Sequence, residues 1–155
     1  MASVSVGKKV PDFTSTTMDG EPWRLKDARG KKLVLFFYPK DMTSGCTIEA
    51  QNFRDLHAAF RKAGTQVIGI SRDSCKSHVK FRDKESLNYE LLSDDDESVC
   101  GLFDVIREKN MYGKKVMGVV RSTFLIDAEG MLVQEWRKVK VDGHAEAVLE
   151  AAKEL

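Results

Sequence analysis

The sequence predicts an α/β fold: a central mixed β-sheet flanked by helices and preceded by an N-terminal β-hairpin. Three observations carry that expectation. Leu33 to Tyr38 and Val67 to Ile70 are continuous, apolar and β-prone, which suits strands buried on both faces. Segments with apolar residues at helical spacing alternate with these runs, the pattern of crossover units in a largely parallel sheet. The chain then ends on two consecutive strand-like segments and a helix, which makes the sheet mixed.

Taken in order, Pro11 to Lys32 reads as short extended pieces and turns. Asp19-Gly20 is a hairpin signal, and Arg29-Gly30 with two lysines marks a loop. Leu33 to Tyr38 is the first buried strand, stopped by Pro39. Pro39 to Gly45 is a loop by composition. From Cys46 a helical pattern starts, with Ile48, Phe53, Leu56, Ala59 and Phe60 recurring at helical spacing until Gly64. Val67 to Ile70 is the second buried strand. Ser71 to Ser74 is a polar loop, and Ser74 is a natural N-cap for a helix reaching about Leu87. Glu90 to Leu92 is a short strand. Asp94 to Glu97 is acidic, and its simplest reading is carboxylates favoured by the dipole of the helix Ser98 to Phe103, rather than a metal site. Asn110 to Lys115 is a polar loop with Gly113. Val119 to Ile126 and Met131 to Trp136 are strands joined by the turn Asp127 to Gly130. Ala145 to Leu155 closes the chain as an amphipathic helix.

The chain has 155 residues, which favours a single domain, 1–155, with a self-sufficient apolar core. Twenty-five Lys+Arg against 24 Asp+Glu leave a formal charge of +1. No global basic field points to nucleic acid, and no acidic excess points to disorder. The apolar runs are far shorter than the roughly 20 residues of a membrane span. Met1 to Lys9 lacks the apolar stretch of a signal peptide. The expectation is a small soluble protein of the cytoplasm.

The three cysteines, Cys46, Cys75 and Cys100, are too few and too widely spaced for a disulfide framework. No CxxC is present, which disfavours thiol-disulfide exchange and zinc ribbons. Cys75 and His78 share a helix face, but no second ligand pair offers itself for a structural zinc. Each cysteine is therefore judged by its surroundings, against the plain alternative of a small buried hydrophobe.

In open α/β sheets, ligands bind beyond the carboxyl ends of the strands. The loop Pro39 to Gly45 occupies such a place, and Cys46 opens the helix that follows. Unpaired backbone N–H groups and the helix dipole both favour a thiolate over a thiol there. A thiolate is the competent nucleophile, so Cys46 is the candidate reactive group.

The segment Pro39-Lys40-Asp41-Met42-Thr43-Ser44-Gly45-Cys46 contains P-x-x-x-T-x-x-C, after a strand ending in Phe37-Tyr38 and before Thr47-Ile48-Glu49-Ala50. It resembles the active-site segment of the peroxiredoxins, and is most similar to the bacterioferritin comigratory protein / peroxiredoxin Q subfamily. Pro11-Asp12-Phe13, Ile68 to Ser74, Leu91 to Asp94 and Arg121 to Gly130 resemble further family blocks in the same order. The resemblance implies a thioredoxin-like fold and a thiol-dependent peroxidase, an antioxidant enzyme of cell redox homeostasis. It would reduce hydrogen peroxide and organic hydroperoxides, with no bound cofactor or metal. Cys46 would be the peroxidatic nucleophile, passing through a sulfenic acid. Thr43 and Arg121 would hydrogen-bond the thiolate and the peroxide, and Pro39 would shield the sulfur. Glu49 would support Arg121 or simply favour the helix start. Thioredoxin or another thiol donor would recycle the enzyme, and a monomer or weak dimer is implied.

The chain departs from the subfamily pattern in its resolving thiol. The position five residues after the nucleophile is Gln51, and the corresponding position in the following helix is Arg82. Ser44 also replaces a proline. Three routes stay open: one-cysteine chemistry with an external thiol, resolution by Cys75, or resolution by Cys100. A reading from another class is a non-catalytic, thioredoxin-like redox-sensing or binding module that uses the same Cys46.

Overall fold

The computed structural model describes residues 4–155. The absence of a leader, expected from Met1 to Lys9, therefore falls partly outside the described residues. Among the described residues, nine strands and four α-helices succeed one another: β1 Thr14–Thr16, β2 Pro22–Arg24, a 3-10 turn Leu25–Ala28, β3 Lys32–Phe37, α1 Ser44–Lys62, β4 Thr65–Ser71, α2 Cys75–Glu85, β5 Glu90–Ser93, α3 Ser98–Leu102, β6 Ile106–Met111, β7 Lys114–Val119, β8 Ser122–Ile126, β9 Leu132–Arg137 and α4 His144–Lys153. Seven strands form the main sheet in the order β2-β1-β5-β4-β3-β8-β9, and β6-β7 is a separate hairpin. β3, β4 and β5 are parallel, whereas β1 joins β5, and β8 joins β3, antiparallel. The sheet is mixed, as the sequence predicts.

The continuous apolar composition of β3 reflects burial on both faces. Val34, Phe36 and Tyr38 enter the core layer beneath α1, α2 and α4, while Leu33, Leu35 and Phe37 enter the opposite layer with Val99 and Phe103. This is strand alternation with apolar partners on each side. Phe36 stacks on Phe53 of α1 with ring centroids 4.5 Å apart. That stack depends on Gly69 of β4, where an added Cβ would lie 2.8 Å from both Phe36 Cζ and Leu91 Cδ2.

Four sequence expectations are corrected. Helix α1 begins at Ser44, two residues before Cys46, with Thr43 as its N-cap residue. Ile48 matches the helical spacing yet is 51 % exposed, because the buried face of α1 runs through Cys46, Glu49, Ala50, Phe53 and Phe60. Asn110 to Lys115 is not simply a loop: it contains the turn of the β6-β7 hairpin and the ends of both strands. Much of this hairpin faces solvent, so its strands lack the apolar alternation that reveals a half-buried strand. Finally, Val119 to Ile126 is not one strand: Val119 ends β7, and β8 begins at Ser122. Ser122 Oγ donates to the Val120 carbonyl at 2.8 Å and Val139 N to the Arg121 carbonyl at 3.0 Å across this break. Asp94 does serve the helix that follows, accepting from Val99 N at 3.0 Å and Cys100 N at 2.7 Å. Among the described residues, no helix is long and apolar enough to cross a membrane.

Candidate active site

The carboxyl ends of β3 and β4 lie side by side, and the β3-α1 loop crosses above them. Cys46 sits in the first turn of α1, 2 % exposed, and follows half-buried Pro39, exposed Thr43 and Ser44 and half-buried Gly45 along the chain. The N–H groups of that first turn lack intrahelical acceptors. The Thr43 side chain does not cap them; its hydroxyl donates instead to the Lys40 carbonyl at 2.9 Å. The amides and the helix dipole are therefore left facing the loop side of the sulfur.

The break between β7 and β8 delivers Arg121 to the same point from across the sheet. Its Nη2 donates to Cys46 Sγ at 3.2 Å and its Nη1 to Glu49 Oε1 at 2.6 Å. Gly45 makes room for this approach, since a Cβ there would lie 3.3 Å from Arg121 Nη2. Glu49 is almost wholly buried and its Oε2 has no hydrogen-bond partner. Burial pushes the Glu49 carboxyl up to about 7, against the opposing pull of Arg121. Burial also disfavours the Arg121 cation, but Glu49 and Cys46 outweigh it and hold the guanidinium more basic than usual. The arrangement presents a fixed cation and helix N–H groups to one sulfur atom, which is what stabilises a thiolate and any charge leaving it.

Behind Arg121, Thr123 and His144 share a 2.8 Å hydrogen bond. Burial, with a smaller contribution from the Arg121 charge, lowers His144 to about 4. His144 is therefore neutral at pH 7, and its tautomer sets which of the two, Thr123 Oγ1 or His144 Nε2, donates.

Cys46, Arg121 and Glu49 are thus brought into contact, with Thr43 and Pro39 in the loop that leads into α1. The remaining cysteines lie elsewhere, and all three are free thiols. Cys100 packs in the core layer on the opposite face of the sheet, where burial and then Asp94 push its thiol well above the ordinary value. Cys75 donates to the Thr17 carbonyl at 3.3 Å, beside β1. β1 is three strands from β3, about 14 Å at ordinary strand spacing. Gln51 donates to Glu85 at 2.8 Å, tying α1 to α2, and Arg82 pairs with its neighbour Asp83 at 3.0 Å on the surface.

Sequence reasoning misses the polar cluster under the loop. Asp41, Asp73 and His78 place donor atoms within 4.8 Å of one another, a grouping able to hold a metal ion. Hydrogens already account for its contacts, however: Asp73 Oδ2 accepts from Ser71 Oγ at 2.6 Å and from Asp41 N at 2.9 Å, and His78 Nδ1 meets Asp41 Oδ2 at 2.8 Å. The signal available in the sequence is a histidine three residues before Phe81, on the apolar stripe of a mostly polar helix.

The model of the AhpC/TSA family matches residues 6–135. Peroxiredoxin Bcp of Xanthomonas campestris is 52 % identical over 142 residues, covering 92 % of this chain and 89 % of that protein. A solved structure of the bacterioferritin comigratory protein from Xanthomonas campestris is 51 % identical and superposes with a TM-score of 0.87, covering 92 % of this chain and 90 % of the other; it belongs to work on that protein's alkyl peroxide reduction activity from trapped intermediate/ligand complex structures. A cysteine-to-serine mutant of Xylella fastidiosa PrxQ is 39 % identical with a TM-score of 0.92, covering 99 % and 98 %.

Proposed function

The chain belongs to the AhpC/TSA family and is a thiol-dependent peroxidase with the thioredoxin-like peroxiredoxin fold; from that premise we propose which residues perform the chemistry. The observation that carries the assignment is Arg121 Nη2 donating to Cys46 Sγ at 3.2 Å in the first turn of a helix.

Cys46 acts as the peroxidatic nucleophile. Its thiolate gives an electron pair to one oxygen of a hydroperoxide, the O–O bond breaks, and the other oxygen departs as alkoxide or hydroxide, which takes up a proton. Cys46 is left as a sulfenic acid. Negative charge moves from sulfur towards the departing oxygen, so donors must face both atoms. Arg121 and the first-turn N–H groups supply them. The Thr43 proton is committed to the Lys40 carbonyl, so its oxygen is free to accept the peroxide O–H and orient it. Pro39 contributes no N–H and an apolar wall. Glu49 orients Arg121 through Oε1.

A thiol then attacks the sulfenic sulfur, giving a mixed disulfide and water. The placement of Cys100 across the sheet and of Cys75 beside β1 favours an external thiol, thioredoxin or another donor, over an internal partner. The chain works as one domain, 1–155, in the cytoplasm, as a monomer or weak dimer. Alkyl as well as hydrogen peroxides are substrates, in line with the relative studied for alkyl peroxide reduction.

The test is consumption of hydrogen peroxide and cumene hydroperoxide with a thiol donor, for the parent and Cys46→Ser. Loss of turnover in the variant is expected; full turnover overturns the assignment. A parent rate no faster than that of a free thiol supports the redox-sensing alternative instead. Mass spectrometry after one equivalent of peroxide is expected to find Cys46 as sulfenic acid; a link from Cys46 to Cys75 or Cys100 overturns the external route.

A further inference from the structure

Asp41 lies in the loop that carries Thr43 and Cys46, yet its side chain is 1 % exposed and that of His78 is fully buried. Three donors surround the Asp41 carboxylate. Tyr38 Oη gives to Oδ1 at 2.6 Å, Ser77 Oγ to Oδ2 at 2.8 Å, and His78 Nδ1 stands 2.8 Å from Oδ2. The other ring nitrogen, Nε2, lies 2.9 Å from the Leu92 carbonyl, which can only accept. His78 therefore ties the Asp41 carboxyl to the backbone of β5, with both ring nitrogens in hydrogen bonds. The charged and titratable groups facing the ring are Asp41 and Tyr38, with Asp73 behind Asp41, bonded to its amide at 2.9 Å.

The next residue, Met42, holds a left-handed backbone, φ 65°, and is exposed, so its own side chain does not account for that conformation. A non-glycine residue keeps such a geometry when its surroundings over-determine it. The anchoring groups are those on Asp41.

We propose that Asp41 and His78 form a buried latch that holds the loop in its reactive shape, making His78 a positioning residue for the peroxide step. It acts through Asp41 on the placement of Thr43 and of the first turn of α1, and it does not touch substrate. This rests on the reading of Cys46 as the nucleophile.

The experiment compares parent and His78→Gln for two reactions of Cys46, peroxide reduction and alkylation by iodoacetamide. A loosened loop lowers kcat/KM for peroxide about 10- to 100-fold, since small misplacements of reacting groups cost that much. Alkylation, which needs access and not peroxide orientation, is unchanged or faster. Peroxide reduction within twofold of the parent, or an equal fall in both reactions, overturns the proposal. Tyr38→Phe, which removes one donor to Asp41, is expected to give the same split in milder form and serves if His78→Gln does not fold. Retained peroxidase activity in Cys46→Ser is a different result and speaks against the nucleophile, not the latch.

Discussion

Glu49 holds Arg121 through one carboxylate oxygen, 2.6 Å from Nη1, and leaves its other oxygen buried without a partner. The guanidinium is therefore fixed from behind while Nη2 points at the sulfur. A planar fork can serve both neighbours at once; an ammonium is a single point of charge. Arg121→Lys is expected to lower kcat/KM for peroxide by about 10²- to 10³-fold with the far-ultraviolet circular dichroism unchanged, since losing one oriented donor at a developing charge costs that much. A loss below threefold in stopped-flow assays contradicts the assignment of Arg121.

Thr43 offers a hydroxyl oxygen whose proton is already directed to Lys40. Thr43→Ser keeps that oxygen and is expected to stay within a few-fold of the parent. Thr43→Val removes it and is expected to lose about 10- to 100-fold in the peroxide step, as for an oriented polar group lost from a site. Equal rates for the two variants count against the role.

The buried carboxyl of Glu49 gives a stability signature with a definite sign. Its value in the fold, about 7, lies above the ordinary 4.5, so the folded protein binds this proton more tightly than the unfolded chain. That contribution is complete below about 4.5 and is lost as pH rises through about 7. Glu49→Gln lacks it. Urea melts at pH 5 and pH 8 should show the variant gaining on the parent at the higher pH by on the order of 1 kcal/mol or more. A pH-independent difference contradicts this reading.

His144 has the opposite sign. Its value falls from the ordinary 6.5 to about 4, so the unfolded chain binds the proton more tightly. The contribution is complete above about 6.5 and is lost as pH falls through about 4. His144→Gln keeps an amide that can donate to or accept from Thr123, and its thermal midpoint should fall less than the parent's between pH 7 and pH 4.

Gly69→Ala is expected to destabilise by about 1–3 kcal/mol, the usual cost of overpacking a filled core. The new methyl meets Phe36 and Leu91 at 2.8 Å, and Phe36 is already stacked on Phe53. Chemical denaturation reads the change directly. The reactive sulfur lies outside this contact, so peroxide kcat/KM of the folded variant should stay within a few-fold.

The sequence by itself determined the mixed α/β sheet, the order of its buried strands and the placing of Cys46 at a helix start. Each of these is a local matter: apolar runs, helical spacing and loop composition report burial within a single element. Periodicity misled at Ile48 and at the β6-β7 hairpin. At Ile48 the apolar side chain faces solvent; along β6 and β7 the exposed side chains leave no burial pattern to read. Only the tertiary structure decided which groups meet. Arg121 reaches a sulfur 75 positions away because β8 pairs beside β3 and the chain breaks before it. His78 closes under Asp41 because α2 packs beneath the same loop, 37 positions on. Cys100 is set apart from Cys46 because alternate layers of one sheet face opposite ways. Contacts of that kind arise from strand order and layer, and spacing along the chain carries no record of them.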